Sequence, residues 1–314
     1  MTLNDRALRL ADRLAADAET LRIAVSHDPG GPRILDCGVQ APGGLAAGLG
    51  MARICLADLA EVTLAPPGIA DLPCPLLQVT TDFPVLACMA SQYAGWQIAV
   101  GKYFAMGSGP MRAAYGKEKL FDHIPGREQP NAAVGVLETR KPPTAEVVAY
   151  LAEKLQLPAD RLTLLIAPTA SIAGTVQVVA RALETALHKL HELKFDLAQV
   201  VSGAGVAPLP PVAADDLVGI GRTNDAVLYG GRATLWVRAA DEQLAAVGPQ
   251  APSSASRDHG VPFAEVFERY NHDFYKIDPL LFSPAEVVFH NLRTGRSHAF
   301  GRTEPSVLRR SFFS

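Results

Sequence analysis

The chain has 314 residues, of which 48% are hydrophobic and 19% charged, with a formal net charge of −3. That apolar content builds a sizeable core and excludes disordered, fibrous and small disulfide-scaffold classes. No basic block occurs, so nucleic acid is not an expected partner.

The length corresponds to about two domains at roughly 100–200 residues each. The 26 glycines and 24 prolines exceed their usual combined share of about 12%. Cys37, Cys55, Cys74 and Cys88 form no C-x-x-C pair. A cysteine-based zinc site and a disulfide framework are therefore not expected, and reduced, buried thiols in a cytoplasmic protein are. Residues 1–23 mix charges with apolar positions, as an amphipathic helix does and a secretion signal does not. Two stretches, 83–101 and 162–180, lack any charge but contain Pro, Gly, Ser or Gln. They suit a buried core better than a bilayer, so no membrane partner is expected.

In chain order, an initial helix precedes a strand over 33–37, a glycine-rich turn over 38–48 and a helix over 46–56. Strands are predicted over 76–81 and 96–100, flanking a helix over 85–93. Residues 102–112 read as a loop or helix start, and 134–137 as a strand ended by Lys141-Pro142-Pro143. A helix over 144–155 and a strand over 162–167 follow, then one long helix from 172 to about 194. The strand 197–201 ends in Ser202-Gly203-Ala204-Gly205, 208–211 is extended, and a short helix covers 213–221. A strand over 233–237 and a helix over 262–270 complete the alternation. This is the pattern of an α/β (α+β) fold built in layers. The proline pair divides the chain into 1–143 and 144–314, with exchange of segments between the lobes left open.

Two nucleotide motifs nearly fit. Gly203-Ala-Gly205-Val-Ala-Pro208 starts like a dinucleotide fingerprint, but Pro208 replaces the third glycine and Pro210-Pro211 forbid the helix that must follow. Between Gly95 and Gly101-Lys102 the spacer is one residue too long for a phosphate loop, and Tyr103 replaces the metal-binding Ser or Thr.

The long helix says more. Ile172, Val176, Val179, Leu183, Leu187 and Leu190 form one apolar stripe. Opposite them stand Gln177, Arg181, Glu184, His188 and His191. A solvated face with a local Arg181–Glu184 ion pair is the plain reading. Alternatively, Glu184, His188 and His191 ligate one metal, although no fourth ligand cluster is visible and H-E-x-x-H is absent. In a third reading Arg181 and Glu184 face a cleft, where Glu184 is a general base. A cationic neighbour lowers a carboxylate's pKa while desolvation raises it, and together they keep a glutamate ionised in a partly dry pocket. Further polar residues interrupt apolar or glycine-rich text: Ser91, Gln92, Tyr93, Lys102, Ser108, Glu138 with Arg140, and Arg222 to Asp225. Each also suits a cap, a turn or a core hydrogen bond, and Asn224-Asp225 suits turn chemistry in particular.

Several long strings are similar to one family. They are Asp36-Cys-Gly38, Pro42-Gly-Gly-Leu-Ala-Ala-Gly48, Ile54-Cys-Leu-Ala-Asp-Leu59, Ala87-Cys-Met-Ala-Ser-Gln-Tyr-Ala-Gly-Trp96 and Val100-Gly-Lys-Tyr-Phe-Ala-Met-Gly-Ser-Gly-Pro110. Thr169-Ala-Ser-Ile-Ala-Gly174, Gln177-Val-Val-Ala-Arg-Ala-Leu-Glu-Thr185, Gly221-Arg-Thr-Asn-Asp225 and Asp273-Phe-Tyr-Lys-Ile-Asp-Pro279 continue the match, which spans roughly 33–300. Together they resemble methenyltetrahydromethanopterin cyclohydrolase. The resemblance implies two layered α/β lobes with a substrate cleft between them, assembled as a homotrimer that reversibly hydrolyses 5,10-methenyltetrahydromethanopterin, or its dephospho form, to the 5-formyl form. It implies no metal and no cofactor, the pterin being the substrate. It makes Glu184 and Arg181 the catalytic pair, and Ser91, Gln92, Tyr93, Lys102, Ser108, Glu138, Asn224 and Asp225 substrate contacts. A folate-type methenyl cyclohydrolase and a non-catalytic pterin-binding protein are the competing functions. The glycine and proline concentrated in 38–50, 95–110, 202–211 and 219–231 is then expected to form the cleft wall.

Overall fold

The computed structural model describes residues 2–313 apart from 272, 274 and 275, so part of the Asp273–Pro279 string lies outside the described residues. The elements run α1 (Leu3–Ala16), α2 (Ala18–Leu21), β1 (Ala24–His27), β2 (Arg33–Asp36), α3 (Leu45–Cys55), β3 (Glu61–Ala65) and β4 (Leu76–Thr81). A π-helix (Val85–Gln92) precedes β5 (Trp96–Val100), β6 (Tyr103–Ser108), α4 (Met111–Tyr115), β7 (Ala133–Glu138), α5 (Ala145–Leu155) and β8 (Leu162–Ala167). Then come α6 (Ile172–Val179), α7 (Ala182–Glu192), β9 (Val200–Pro208), α8 (Asp216–Gly230), β10 (Arg232–Val237) and α9 (Asp241–Val247). The chain closes with α10 (Phe263–Arg269), β11 (Glu286–Asn291), β12 (Ser297–Gly301) and α11 (Pro305–Phe313).

These elements form two compact units: Met1–Ala60 with Leu86–Gln177, and Glu61–Val85 with Val178–Ser314. The chain therefore changes unit three times, and the prolines at 142–143 lie inside the first unit, between β7 and α5. The reason is visible in the pairing. β3 and β4, early in the chain, hydrogen-bond to each other and then to β9, whose residues come after 200.

The first unit holds a six-stranded sheet in the order β1-β2-β8-β7-β6-β5. Its centre, β2-β8-β7, is parallel, and the outer pairings are antiparallel. Parallel strands need cover on both faces, which is why β8 reads Leu-Thr-Leu-Leu-Ile-Ala and is buried throughout. Leu165, with Val134 and Val136 of β7, packs with Leu10 of α1 and Met51 and Ile54 of α3. Leu164 and Ile166, with Leu137, pack with Met111 of α4 and Val147 and Leu151 of α5.

The second unit holds a sheet in the order β12-β11-β10-β9-β4-β3, antiparallel except for β10 against β11. α7 covers β9 and β10, with Leu183, Leu187 and Leu190 fully buried. The charge-free stretches become the π-helix with β5, whose burial alternates, and the fully buried β8 with α6. Among the described residues no helix is long and apolar enough to cross a membrane.

Three sequence expectations change here. The single helix over 172–194 is broken at Ala180 and Arg181 into α6 and α7. Arg181 (φ −95°, ψ 4°) donates its N–H to Val178 O at 3.2 Å, three residues back instead of four, so the turn tightens and the helix restarts. The glycine string 202–205 is no turn but the middle of β9, because β4 and β10 pair with it on both sides. The short helix over 213–221 becomes the fifteen-residue α8, capped by Asp215, whose carboxylate accepts from Val218 N at 2.9 Å.

β9 is glycine-rich because α7 lies on it. A Cβ at Gly205 would stand 2.6 Å from the Leu183 amide nitrogen, a main-chain atom that cannot swing away. Gly205→Ala is therefore expected to destabilise the protein by about 1–3 kcal/mol, read as a lower thermal midpoint against the unaltered chain.

Candidate active site

Arg181 opens α7 and Glu184 lies in its first turn, one helical turn further on. Their Nη1 and Oε2 atoms are 3.9 Å apart, and the residues are only 7% and 3% exposed. The solvated-face reading of this pair is thereby corrected: α7 presents these charges to protein, not to water. At about 4 Å two unit charges attract by about 4 kcal/mol at an effective dielectric constant of about 20. Removing two ions from water costs several kcal/mol each, so the pair stabilises the fold weakly at best. A buried Arg–Glu pair at a helix start is a candidate for a functional site. Gln177, expected on the same helical face, belongs to the first unit, while Arg181 and Glu184 belong to the second. Among the described residues no group of three or more His, Cys, Asp or Glu side chains is placed to hold a metal ion, and that covers Glu184, His188 and His191.

The first unit gathers a second polar set. The π-helix ends in Ser91 and Gln92, both buried, and Tyr93 N continues its i−5 pattern by donating to Cys88 O at 2.8 Å. π-helical turns are rare and are frequent at functional sites. Ser91 Oγ donates to Cys55 O at 2.6 Å. Ser108 Oγ lies 3.2 Å from Cys55 Sγ and donates to Val136 O at 3.4 Å. These hydroxyls tie the π-helix and β6 to the end of α3. The four cysteines are buried and form no disulfide, and burial pushes the Cys37 thiol up to about 12.

Glu138 ends β7, and its carboxylate accepts the Thr169 hydroxyl just beyond β8. At the end of the neighbouring β2, Asp36 accepts four main-chain N–H groups, from Gly38, Val39, Gln40 and Ala41, at 2.7–3.1 Å. The carboxyl ends of parallel strands are where open α/β sheets bind ligands. Thr169 and Asp36 were missed as site candidates. The Asp-x-Gly after a strand was the available signal for Asp36, as an Asx turn.

Other candidates are placed differently. Lys102 sits with Gly101 on the exposed hairpin turn between β5 and β6, where a loop was expected to run on to 112. Asn224 and Asp225 are in the interior of α8, not in a turn. Asn224 Nδ2 donates to Ile220 O at 2.8 Å within its own helix. Asp225 Oδ1 accepts from Phe263 N at 2.8 Å, at the start of α10.

A family model described as Cyclohydrolase (MCH) matches residues 2–312. A methenyltetrahydromethanopterin cyclohydrolase of Rhodopirellula baltica is 50% identical over 90% of this chain and 86% of its own length. The protein of that name in a Methylobacterium species is 48% identical over 99% of this chain and 97% of its own. The one from Methanococcoides burtonii is 41% identical over 99% and 98%. The chain belongs to the methenyltetrahydromethanopterin cyclohydrolase family.

Within this cyclohydrolase chain, Asp225 gives a titratable consequence. Its burial raises the carboxyl to about 7, against the pull of the Phe263 amide and of Ser311 and with Glu265 and Arg310 nearby. A carboxyl raised on folding contributes stability that is whole below about pH 4, is lost progressively as pH rises towards 7, and is level above it. Asp225→Asn, neutral throughout with an oxygen left for Phe263 N, should flatten the pH dependence of urea-denaturation stability over that interval.

Proposed function

We propose that this protein reversibly hydrolyses 5,10-methenyltetrahydromethanopterin, or its dephospho form, to 5-formyltetrahydromethanopterin, with Glu184 as general base and Arg181 as its partner. Family membership over nearly the whole chain supports the reaction. The buried Arg181–Glu184 pair is the observation that supports the assignment of roles.

The methenyl group is an amidinium-like cation whose bridging carbon is already electrophilic. The enzyme must supply an oriented water and a base. Glu184 takes a proton from that water as its oxygen bonds to the bridging carbon, giving a neutral tetrahedral adduct. The carbon's bond to the N10 nitrogen then breaks as Glu184 returns the proton to that nitrogen. The adduct's hydroxyl loses its proton to solvent and becomes the formyl oxygen. One water is consumed and one proton released. A negative side chain beside a cationic substrate also favours binding, and Arg181 holds Glu184 in place while balancing its charge when the substrate is away. No metal or prosthetic group has a role in this sequence. Ser91, Gln92, Tyr93 and Glu138 are substrate contacts in the same proposal, supported by the family strings that contain them. Assembly as a homotrimer and a cytoplasmic setting rest on the resemblance and on the four reduced thiols.

Glu184→Gln should lower kcat by about 10²–10⁴-fold, the range of one general base, with little change in circular dichroism. Loss of the methenyl chromophore is the readout, and near-normal turnover would overturn the assignment. Arg181→Ala should also lower kcat, and the double variant should be little worse than the poorer single one, because the two act as a unit. Parallel assays with methenyl-tetrahydrofolate test the pterin preference.

A further inference from the structure

The first unit contains a wholly buried arginine that the reaction does not use. Arg112, on α4, donates from Nε and Nη2 to the two carboxylate oxygens of Glu118 at 2.9 and 2.6 Å, a closed fork. Its remaining terminal nitrogen, Nη1, donates to Met89 O at 2.9 Å and to Ser91 O at 3.4 Å. The guanidinium carbon lies 4.9 Å from the centre of the Tyr93 ring and 5.7 Å from that of Phe121. One side chain thus meets the last turn of the π-helix at two carbonyls and the residue just beyond it at its ring.

The last carbonyls of any helix lack partners within it. Arg112 supplies partners at Met89 and Ser91, and Gly109 N adds a 2.9 Å bond to Ser91 O. Glu118 fixes the guanidinium plane, because only a two-point fork sets the rotation of a planar group. The turn that follows closes tightly over the pair. A Cβ at Gly95 would collide with Glu118 Oε2 and stand 2.6 Å from the Tyr93 ring. Burying a whole guanidinium costs much of what its ion pair with the partly exposed Glu118 returns, so geometry is what this pair contributes.

We infer that the Arg112–Glu118 pair is a positioning clamp that sets the orientation of Ser91, Gln92 and the half-buried Tyr93 ring towards the pterin of the substrate. This rests on the reading that the Ser91–Tyr93 segment contacts substrate. Arg112 and Glu118 act through that segment and touch no reacting atom.

The test uses the full chain in three forms: Arg112→Lys, Glu118→Gln, and Arg112→Met combined with Glu118→Leu. The combined form exchanges the pair for apolar groups and keeps a folded protein should a single change not fold. KM for the methenyl substrate is expected to rise about tenfold or more in every folded form, with kcat held within about threefold, since Glu184 is untouched. Arg112→Lys keeps the charge but not the fork, so it should recover melting temperature without recovering KM. A KM within about twofold of the unaltered enzyme in the folded forms overturns the clamp. Should the unaltered enzyme itself not turn over the methenyl substrate, the proposed activity falls instead. Hydrogen exchange at the 88–93 amides then decides the clamp: faster exchange in the combined form supports it, and unchanged exchange overturns it.

Discussion

The position of Glu184 depends on how closely α7 can approach β9. Gly205 leaves room for the Leu183 main chain directly above the strand, and the residue after Leu183 is the proposed base. A methyl group at that contact would lift the first turn of α7, and with it Arg181 and Glu184. The same closeness buries Leu183, Leu187 and Leu190 completely, so the face that anchors the helix is purely apolar. Hydrophobic burial of that face helps to hold two charges out of water, since removing ions from water is costly.

The glycine excess acquires a divided meaning from this. At 203–205 glycine serves helix-on-sheet packing, and at 101 and 116 it adopts left-handed backbone at a hairpin turn and a helix end. Gly95, closed over the Arg112–Glu118 pair, and Gly38, whose amide donates to Asp36, lie close to candidate site residues, as does Gly101 beside Lys102. These glycines are several local solutions to close approach and chain reversal.

Much of the fold was legible because its signals are local. The period-2 and all-apolar runs marked β4, β5, β8 and β10, and Thr144 and Pro158 bracketed α5. The Arg-x-x-Glu spacing was also legible, because residues three apart on a helix are neighbours. What stayed hidden depends on partners far along the chain. No glycine or proline lies between 175 and 195, so nothing in the sequence marks the break at Ala180. β9 extends through a glycine string only because β4, more than a hundred residues earlier, pairs with it. For the same reason the unit boundaries at 60, 85 and 177 carry no composition signal, while the prolines at 142–143 merely end a strand. Asn224 and Asp225 looked like turn residues, yet one bonds back to its own helix and the other caps α10.

The two Arg–Glu pairs differ in how tightly they close. Arg112 and Glu118 close a two-point fork at 2.6–2.9 Å, with the remaining guanidinium nitrogen spent on carbonyls. Such a pair has a single low-energy geometry, and moving a proton or a charge through it would break several bonds at once. Arg181 and Glu184 stand more than 1 Å further apart, joined by charge and not by a closed fork. In the proposed reaction, a carboxylate held that way has its charge balanced by Arg181 and its position fixed by the helix. Tightness therefore separates the inferred positioning pair from the pair proposed for proton transfer, although both read as the same two residue types in the sequence.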